Sequence, residues 1–332
     1  MINRIKEILR LLHPYMNLIY WDLRLLFQKK NLFFIRGKTG DLNYYFSHLE
    51  SHLKNNHIKD YVFIGDGENI QGILELYPNI KPKRIIHLTE AQANHFQKYV
   101  LFQDGRIAHS LMWDQQLHGN VCRLRELEKF NFDDSFKYFL LGNKVTDQKT
   151  RAVFPDVESE LESNAVLICP FAEYVKLLPQ DFWRILIFEL EARGYKIYIN
   201  RDRRREVFDE KCDVLFLRYN ELKKLEKCAG IIGLRSGFLD VAAQINCKKV
   251  VLYPTRHNEL DLRSHRADVS FSSFTACDLN SKNTFEITMP FCRNIGDPYW
   301  IDYRLANGAG ILLWKDVISA VLNHFPEIKS DD

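Results

Sequence analysis

Residues Cys228 to Pro254, CAGIIGLRSGFLDVAAQINCKKVVLYP, leave few folds open to this chain. Ile231 and Ile232 mark a buried strand, Arg235-Ser236-Gly237 a tight turn, the next residues a helix, and Val250 to Tyr253 a second buried strand. Ser236 and Gly237 stand at the expected helix start, where unpaired backbone N–H groups and the positive end of the dipole favour an anion. Gly237 permits a close backbone approach, and Arg235 adds a fixed charge whose fork matches phosphate. Strand, turn and helix ending in an anion site is how α/β proteins hold nucleotides. A phosphate-bearing ligand is therefore expected.

The chain is long enough for two domains, at 332 residues. With 46% hydrophobic and 27% charged residues it has the profile of a globular protein. A net charge of +3 gives no case for nucleic acid as a partner. Seven scattered cysteines without a CxxC pair fit neither a disulfide framework nor a zinc site, which points to a reducing cytoplasm. No run of about 20 apolar residues is present to span a bilayer. Residues 1–30 nevertheless form a basic amphipathic segment, with Arg4, Lys6, Arg10, Arg24, Lys29 and Lys30 against Glu7 and Asp22. Such a segment fits an anionic inner-membrane surface, or packs as helices on the first domain; amphipathicity alone leaves both open.

Strands alternate with helical stretches along the rest. Leu32 to Arg36, Tyr61 to Gly65 and Arg84 to Leu88 read as strands, with helices over Leu42 to Asn55 and Asn69 to Leu76, and Thr89 capping another. The aromatics and mixed charges of the stretch from Arg106 to Asn143 suggest helices near a cleft more than sheet. After a polar break over Val145 to Asn164, strands are expected at Ala165 to Cys169, Lys196 to Asn200 and Asp213 to Leu217, and helices at Asp181 to Arg193 and Glu221 to Cys228. The segment after Tyr253 reads as irregular, and a last helix lies near Trp314 to His324. The expected organisation is a segment 1–30, a Rossmann-like acceptor domain 31–150, a linker 151–164, a Rossmann-like donor domain 165–310, and a C-terminal helix and tail 311–332. The fold class is α/β, two Rossmann-like domains facing a central cleft, with ligands at the carboxyl ends of the strands.

Three segments carry a resemblance. FIRGKTGDLNYYFSHLESHLKN, LICPFAEYVKLLPQDFWRILIFELEARGYKIYIN and AGIIGLRSGFLDVAAQINCKKVVLYPTRHN occur in this order across both halves. Together they resemble the GT-B glycosyltransferases, and among them the family 9, heptosyltransferase-like enzymes of bacterial surface-polysaccharide synthesis. The resemblance implies an inverting, metal-independent transfer of a sugar from a nucleotide-sugar donor to a lipopolysaccharide or capsule acceptor, with no cofactor. It implies a cytoplasmic enzyme, peripheral on the inner membrane if residues 1–30 bind there. It makes Asp41 the general base and Lys176 a contact to the donor phosphates. The chain departs from the family at the donor turn. Arg235 stands where an acid is usual, and Asp240 where a His is usual.

Each assignment has a plainer alternative. Asp41 is also a good helix cap. Lys176 reads equally as a solvated loop lysine. Arg235, Ser236, Gly237 and Phe238 form either the diphosphate turn or a tight turn with its Arg in a structural salt bridge. Asp240 suits a sugar or ribose hydroxyl, or complements the dipole of its own helix. Tyr219, Tyr253 and His257 are placed near the donor by topology. Arg201 to Arg205 reads as a solvated face, and His118 has no defined role. A nucleotide-sugar epimerase or hydrolase on the same scaffold, and a non-catalytic nucleotide- or glycan-binding assembly subunit, remain alternatives. An NAD-dependent dehydrogenase is disfavoured, because no GxGxxG follows the first strand.

Overall fold

A computed structural model describes residues 31–65, 70–94, 96, 109–112, 149–172, 178, 180–200, 212–254, 283–289, 292–293, 301–304, 311–312 and 314–328. The basic segment 1–30, His118, Lys176, Arg201 to Arg205 and His257 lie outside the described residues. Among the described residues, no helix is long and apolar enough to cross a membrane. Those up to Thr150 belong to one compact unit and those from Arg151 onward to another.

The first unit holds a four-stranded parallel sheet of β1 (Asn31–Arg36), β2 (Tyr61–Gly65), β3 (Arg84–His87) and β4 (His109–Met112), in the order β3-β2-β1-β4. Leu32 to Ile35 and all of β2 are buried, as strands covered on both faces must be. α1 (Thr39–Asn55) and the short α2 (Ile70–Leu74) connect them. Asp41 in the first turn and His52 and Lys54 in the last complement the dipole of α1. The helix stops where His57 takes a left-handed φ of 56° and the Ile58 N–H reaches back to the Leu53 carbonyl at 2.9 Å. α1 buries polar side chains as well: Tyr77 donates its hydroxyl to both Asn43 Oδ1 (2.9 Å) and the Asn43 carbonyl (3.0 Å).

The second unit holds a six-stranded sheet of β5 (Ala165–Cys169), β6 (Lys196–Asn200), β7 (Asp213–Leu215), β8 (Gly230–Leu234), β9 (Lys249–Pro254) and β10 (Thr284–Met289). Every pairing is parallel, in the order β10-β9-β8-β5-β6-β7. Read from the other edge this is the doubly wound order of a dinucleotide-type sheet. α3 (Gln180–Ala192) buries Phe182, Trp183, Leu186, Ile187 and Leu190, a stripe at helical spacing. α4 (Gly237–Ala242) follows β8, and α5 (Trp314–Leu322) adds Val317, Ile318, Val321 and Leu322 to the same core. Gly194, at φ 88°, ends α3 in the left-handed conformation that glycine adopts freely. Positive groups close the end of α5: Arg193 Nη1 donates to the Leu322 and Phe325 carbonyls, each at 2.9 Å, and the Lys248 ammonium to the His324 carbonyl.

Several expectations change. Glu221 to Cys228 is not an α-helix but part of a 3-10 helix, Tyr219–Lys227. Its buried residues, Leu222 and Leu225, recur every three positions, which suits three residues per turn. The stretch after Tyr253, expected to be irregular, contains β10, followed by three short strands, β11 (Cys292–Arg293), β12 (Ile301–Arg304) and β13 (Ile311–Leu312), paired antiparallel. β4 is a strand within Arg106 to Asn143, where helices are expected more than sheet; it pairs with the buried strand β1. Residues 151–164 carry no helix or strand and are fastened to the second unit by Ala152 N–H to Gln244 Oε1 (2.6 Å), Ser159 Oγ to the Lys224 carbonyl (3.0 Å) and a Lys223–Asp156 ion pair.

Candidate functional site

In the first sheet β1, β2 and β3 succeed one another to one side, and β4 pairs on the other side of β1. The crevice at such a reversal, beyond the carboxyl ends of the strands, is where α/β sheets take ligands. The segment that leaves β1 at this point is Gly37-Lys38-Thr39-Gly40-Asp41. α1 begins at Thr39, earlier than its expected start at Leu42, so Asp41 is not the cap residue itself. It sits three residues past Lys38, and its Oδ2 accepts the Lys38 backbone N–H at 2.9 Å. Asp41 is partly buried. Arg36, the last residue of β1, donates from Nη1 to Asn94 Oδ1 at 2.7 Å. Asn94 belongs to the helical residues 90–94, whose start Thr89 caps by accepting the Gln92 N–H at 3.3 Å.

The second sheet repeats the relation. β5, β6 and β7 run to one side, and β8, on the other side of β5, starts the run to β9 and β10. The reversal lies between β5 and β8, and the turn leaving β8 is Arg235-Ser236-Gly237. Beneath it β8 and β5 touch closely, for a Cβ on Gly233 would stand 2.7 Å from the Cys169 carbonyl oxygen. Ser236 caps α4, its Oγ accepting the Leu239 N–H at 3.5 Å. With six residues, α4 has a small dipole, which shifts the weight of any anion contact from the helix end to Arg235.

Arg235 pairs with Asp240, one turn further on. Both are largely buried, with 14% of the arginine side chain and 7% of the aspartate side chain exposed. Burial pushes the Asp240 carboxyl above the ordinary carboxylate range, while the Arg235 charge pulls it back. The Arg235 backbone N–H donates to the Leu252 carbonyl on β9 at 3.0 Å, so the turn is tied to the neighbouring strand. The two residues at which the sequence departs from the family pattern are therefore partners. No spacing rule pairs a turn residue with one five positions on, and only the fold shows the contact.

The other expected donor residues spread along the same edge. Tyr253, near the end of β9, is buried, and its hydroxyl donates to Glu286 Oε1 on β10 at 2.6 Å. Tyr219 opens the 3-10 helix and is partly buried. Lys249, at the opposite end of β9, carries no motif that marks it in the sequence. It is wholly buried, and its ammonium donates to the Ile245 and Cys247 carbonyls at 2.6 and 2.7 Å. Burial lowers its pKa. Its place between two carbonyls at the end of the turn from α4 makes it a structural clamp. Among the described residues, no group of three or more His, Cys, Asp or Glu side chains could hold a metal ion.

No protein-family model and no curated protein matches the sequence. Solved structures do. The structure of E. coli ADP-heptose LPS heptosyltransferase II is similar over 89% of this chain and 98% of that one, with a TM-score of 0.55 at 12% identity. E. coli heptosyltransferase WaaC with ADP-2-deoxy-2-fluoro heptose matches over 89% of this chain and 99% of that one, at 13% identity and a TM-score of 0.46. A family 9 glycosyl transferase from Veillonella parvula matches over 79% and 86%, at 12% identity and a TM-score of 0.44. The first of these likenesses shows the fold: the chain has the α/β architecture of a GT-B, heptosyltransferase-like protein.

Proposed function

We propose that this chain is a glycosyltransferase that moves a sugar from a nucleotide-sugar donor onto a bacterial surface glycan such as lipopolysaccharide or capsule. One observation carries the reading. On a heptosyltransferase-like fold, the segment ending in Asp41 and the turn holding Arg235 each leave their sheet at the strand where its order reverses.

In this reading the acceptor hydroxyl attacks the anomeric carbon and Asp41 takes its proton. The bond from that carbon to the diphosphate oxygen breaks, with inversion, and the electron pair leaves on the nucleoside diphosphate. Lys176, Arg235 and the backbone of Ser236, Gly237 and Phe238 meet the developing charge, as electrostatic stabilisation without a divalent ion. Tyr219, Tyr253 and His257 border the nucleoside and sugar. The enzyme works on the cytoplasmic side, with residues 1–30 at the inner-membrane surface.

Calorimetric titration with UDP, GDP, ADP and CMP tests donor binding, since a ligand that binds only the folded state also raises its melting temperature. Binding of one of them is expected, and no binding of any would overturn the reading. Asp41→Asn then tests the chemistry. Transfer should fall by roughly a hundredfold or more with donor affinity kept, the usual scale for a lost general base. Undiminished transfer would remove Asp41 from the reaction. Turnover of donor without acceptor at the rate of transfer would favour the hydrolase or epimerase alternative.

A further inference from the structure

We infer that Asp240 is a positioning residue, whose buried carboxylate sets the Arg235 guanidinium at the β5/β8 reversal to meet the diphosphate of a nucleoside diphosphate, without touching the ligand itself. The inference rests on the donor reading above.

Both ends of the pair are fixed from outside it. Arg235 hangs from β9 through its backbone bond to Leu252. Asp240 rides on α4, with its N–H bonded to the Ser236 carbonyl at 3.1 Å and its neighbours Leu239 and Val241 fully buried. The arginine side chain is the more exposed of the two, 14% against 7%. Arg235 Nη1 also lies 3.5 Å from the Ser236 carbonyl, which holds the head over its own turn.

An arginine side chain loses rotamer freedom when a ligand fixes it. Fixing it beforehand, against a carboxylate, removes that cost from the binding step. Stability is a poor explanation for the pair. Two largely buried charges lose their water, and such a pair is often no better for the fold than apolar residues of the same volume.

Asp240→Asn separates positioning from plain electrostatics by sign. Removing a negative charge beside an anion site should tighten anion binding by Coulomb attraction alone. Positioning requires the reverse. With the nucleoside diphosphate that wild type binds, Asp240→Asn should weaken affinity by about tenfold, the scale of one charge-assisted contact, while affinity for the matching nucleoside stays unchanged. Asp240→Glu should recover part of the loss. Tighter or equal diphosphate binding by Asp240→Asn overturns the inference, as does an equal loss for the nucleoside. If Asp240→Asn does not fold, Arg235→Lys is measured instead, since it keeps the charge and discards the fork. Affinity equal to wild type there overturns the inference, and a loss confined to the diphosphate supports it. Failure of wild type to bind any nucleoside diphosphate overturns the donor reading first and the inference with it, which keeps the two failures apart.

Discussion

Gly37 and Asp41 are packed so closely that a methyl group on the glycine would lie 2.8 Å from the aspartate Cβ and 3.3 Å from its Oδ2. Any larger residue at position 37 must push aside the side chain that the resemblance makes the general base. Gly37→Ala should cost about 1–2 kcal/mol of stability through local overpacking. Its effect on kcat should be far larger, because small displacements of a catalytic group are expensive. Donor affinity should hold. Thermal melts together with steady-state kinetics check this, and an unchanged kcat would remove Asp41 from the reaction.

Arg235→Met alone leaves a buried carboxylate without its charge partner, and should destabilise the protein by about 3 kcal/mol. Arg235→Met combined with Asp240→Leu should restore stability to within about 1 kcal/mol of wild type. The double variant should still lack measurable nucleoside diphosphate binding. Chemical denaturation and calorimetry on the three proteins decide it. A double variant as unstable as the single one would mean that the pair holds the fold.

The same pair gives a pH signature. The carboxyl of Asp240 titrates above its ordinary value of 3.8 in the folded protein. The folded state thus binds this proton more tightly than the unfolded state does. The contribution to stability is full below 3.8 and is lost as pH rises through the folded value. Compared with the Arg235→Met, Asp240→Leu double variant, wild type should be relatively more stable at low pH and lose that margin on the way to neutrality. Parallel denaturation curves across pH 3–7, about the carboxylate range and above, measure the margin; a margin that grows with pH reverses the sign and refutes the prediction.

Lys249 behaves oppositely in form. Its pKa is lowered from 10.5, so the unfolded chain binds the proton more tightly. Stability should therefore rise with pH through the window that ends at 10.5. Lys249→Met should flatten that rise. It also takes the ammonium from the Ile245 carbonyl, which still accepts the Cys247 N–H at 3.0 Å, and from the Cys247 carbonyl, where the lost bond costs about 1–3 kcal/mol if water cannot reach it. Identical slopes in the two proteins would sink the assignment of a buried ammonium.

A Cβ at Gly233 would meet the Cys169 Cβ at 2.6 Å and the carbonyl oxygen at 2.7 Å. Backbone cannot yield as a side chain does. Gly233→Ala should cost about 3 kcal/mol by forcing β8 and β5 apart. The denaturant midpoint reads it, and a loss below about 1 kcal/mol would show that the two strands have slack.

Much of this fold is legible in the sequence. The apolar runs of β1, β2, β5, β8 and β9, separated by helical stretches, specify a parallel sheet covered on both faces. β10 lies in a stretch expected to be irregular, although Thr284, Phe285, Glu286 and Ile287 alternate as a strand does. The signal was there, drowned by the polar stretch before it. β4, four residues reading HSLM, has no alternation to find. The amphipathic run Tyr219–Lys227 gave its helical character but not its pitch, since two leucines three apart fit either helix type. At the site, both turns were visible as turns. The bond from Lys38 to Asp41, the Arg235–Asp240 pair and the clamp at Lys249 were not, because each depends on where the backbone brings two groups.

The strand pair at the reversal of the second sheet also divides labour in a way that bears on how such proteins diversify. Below the turn, Gly233 against Cys169 tolerates almost nothing larger. Above it, the side chains of Arg235 and Asp240 pair with each other and their charges cancel. Residues placed so can be exchanged as a couple while the socket beneath them stays intact. Positions 235 and 240 can thus be varied together while the packing of β5 on β8 stays as it is.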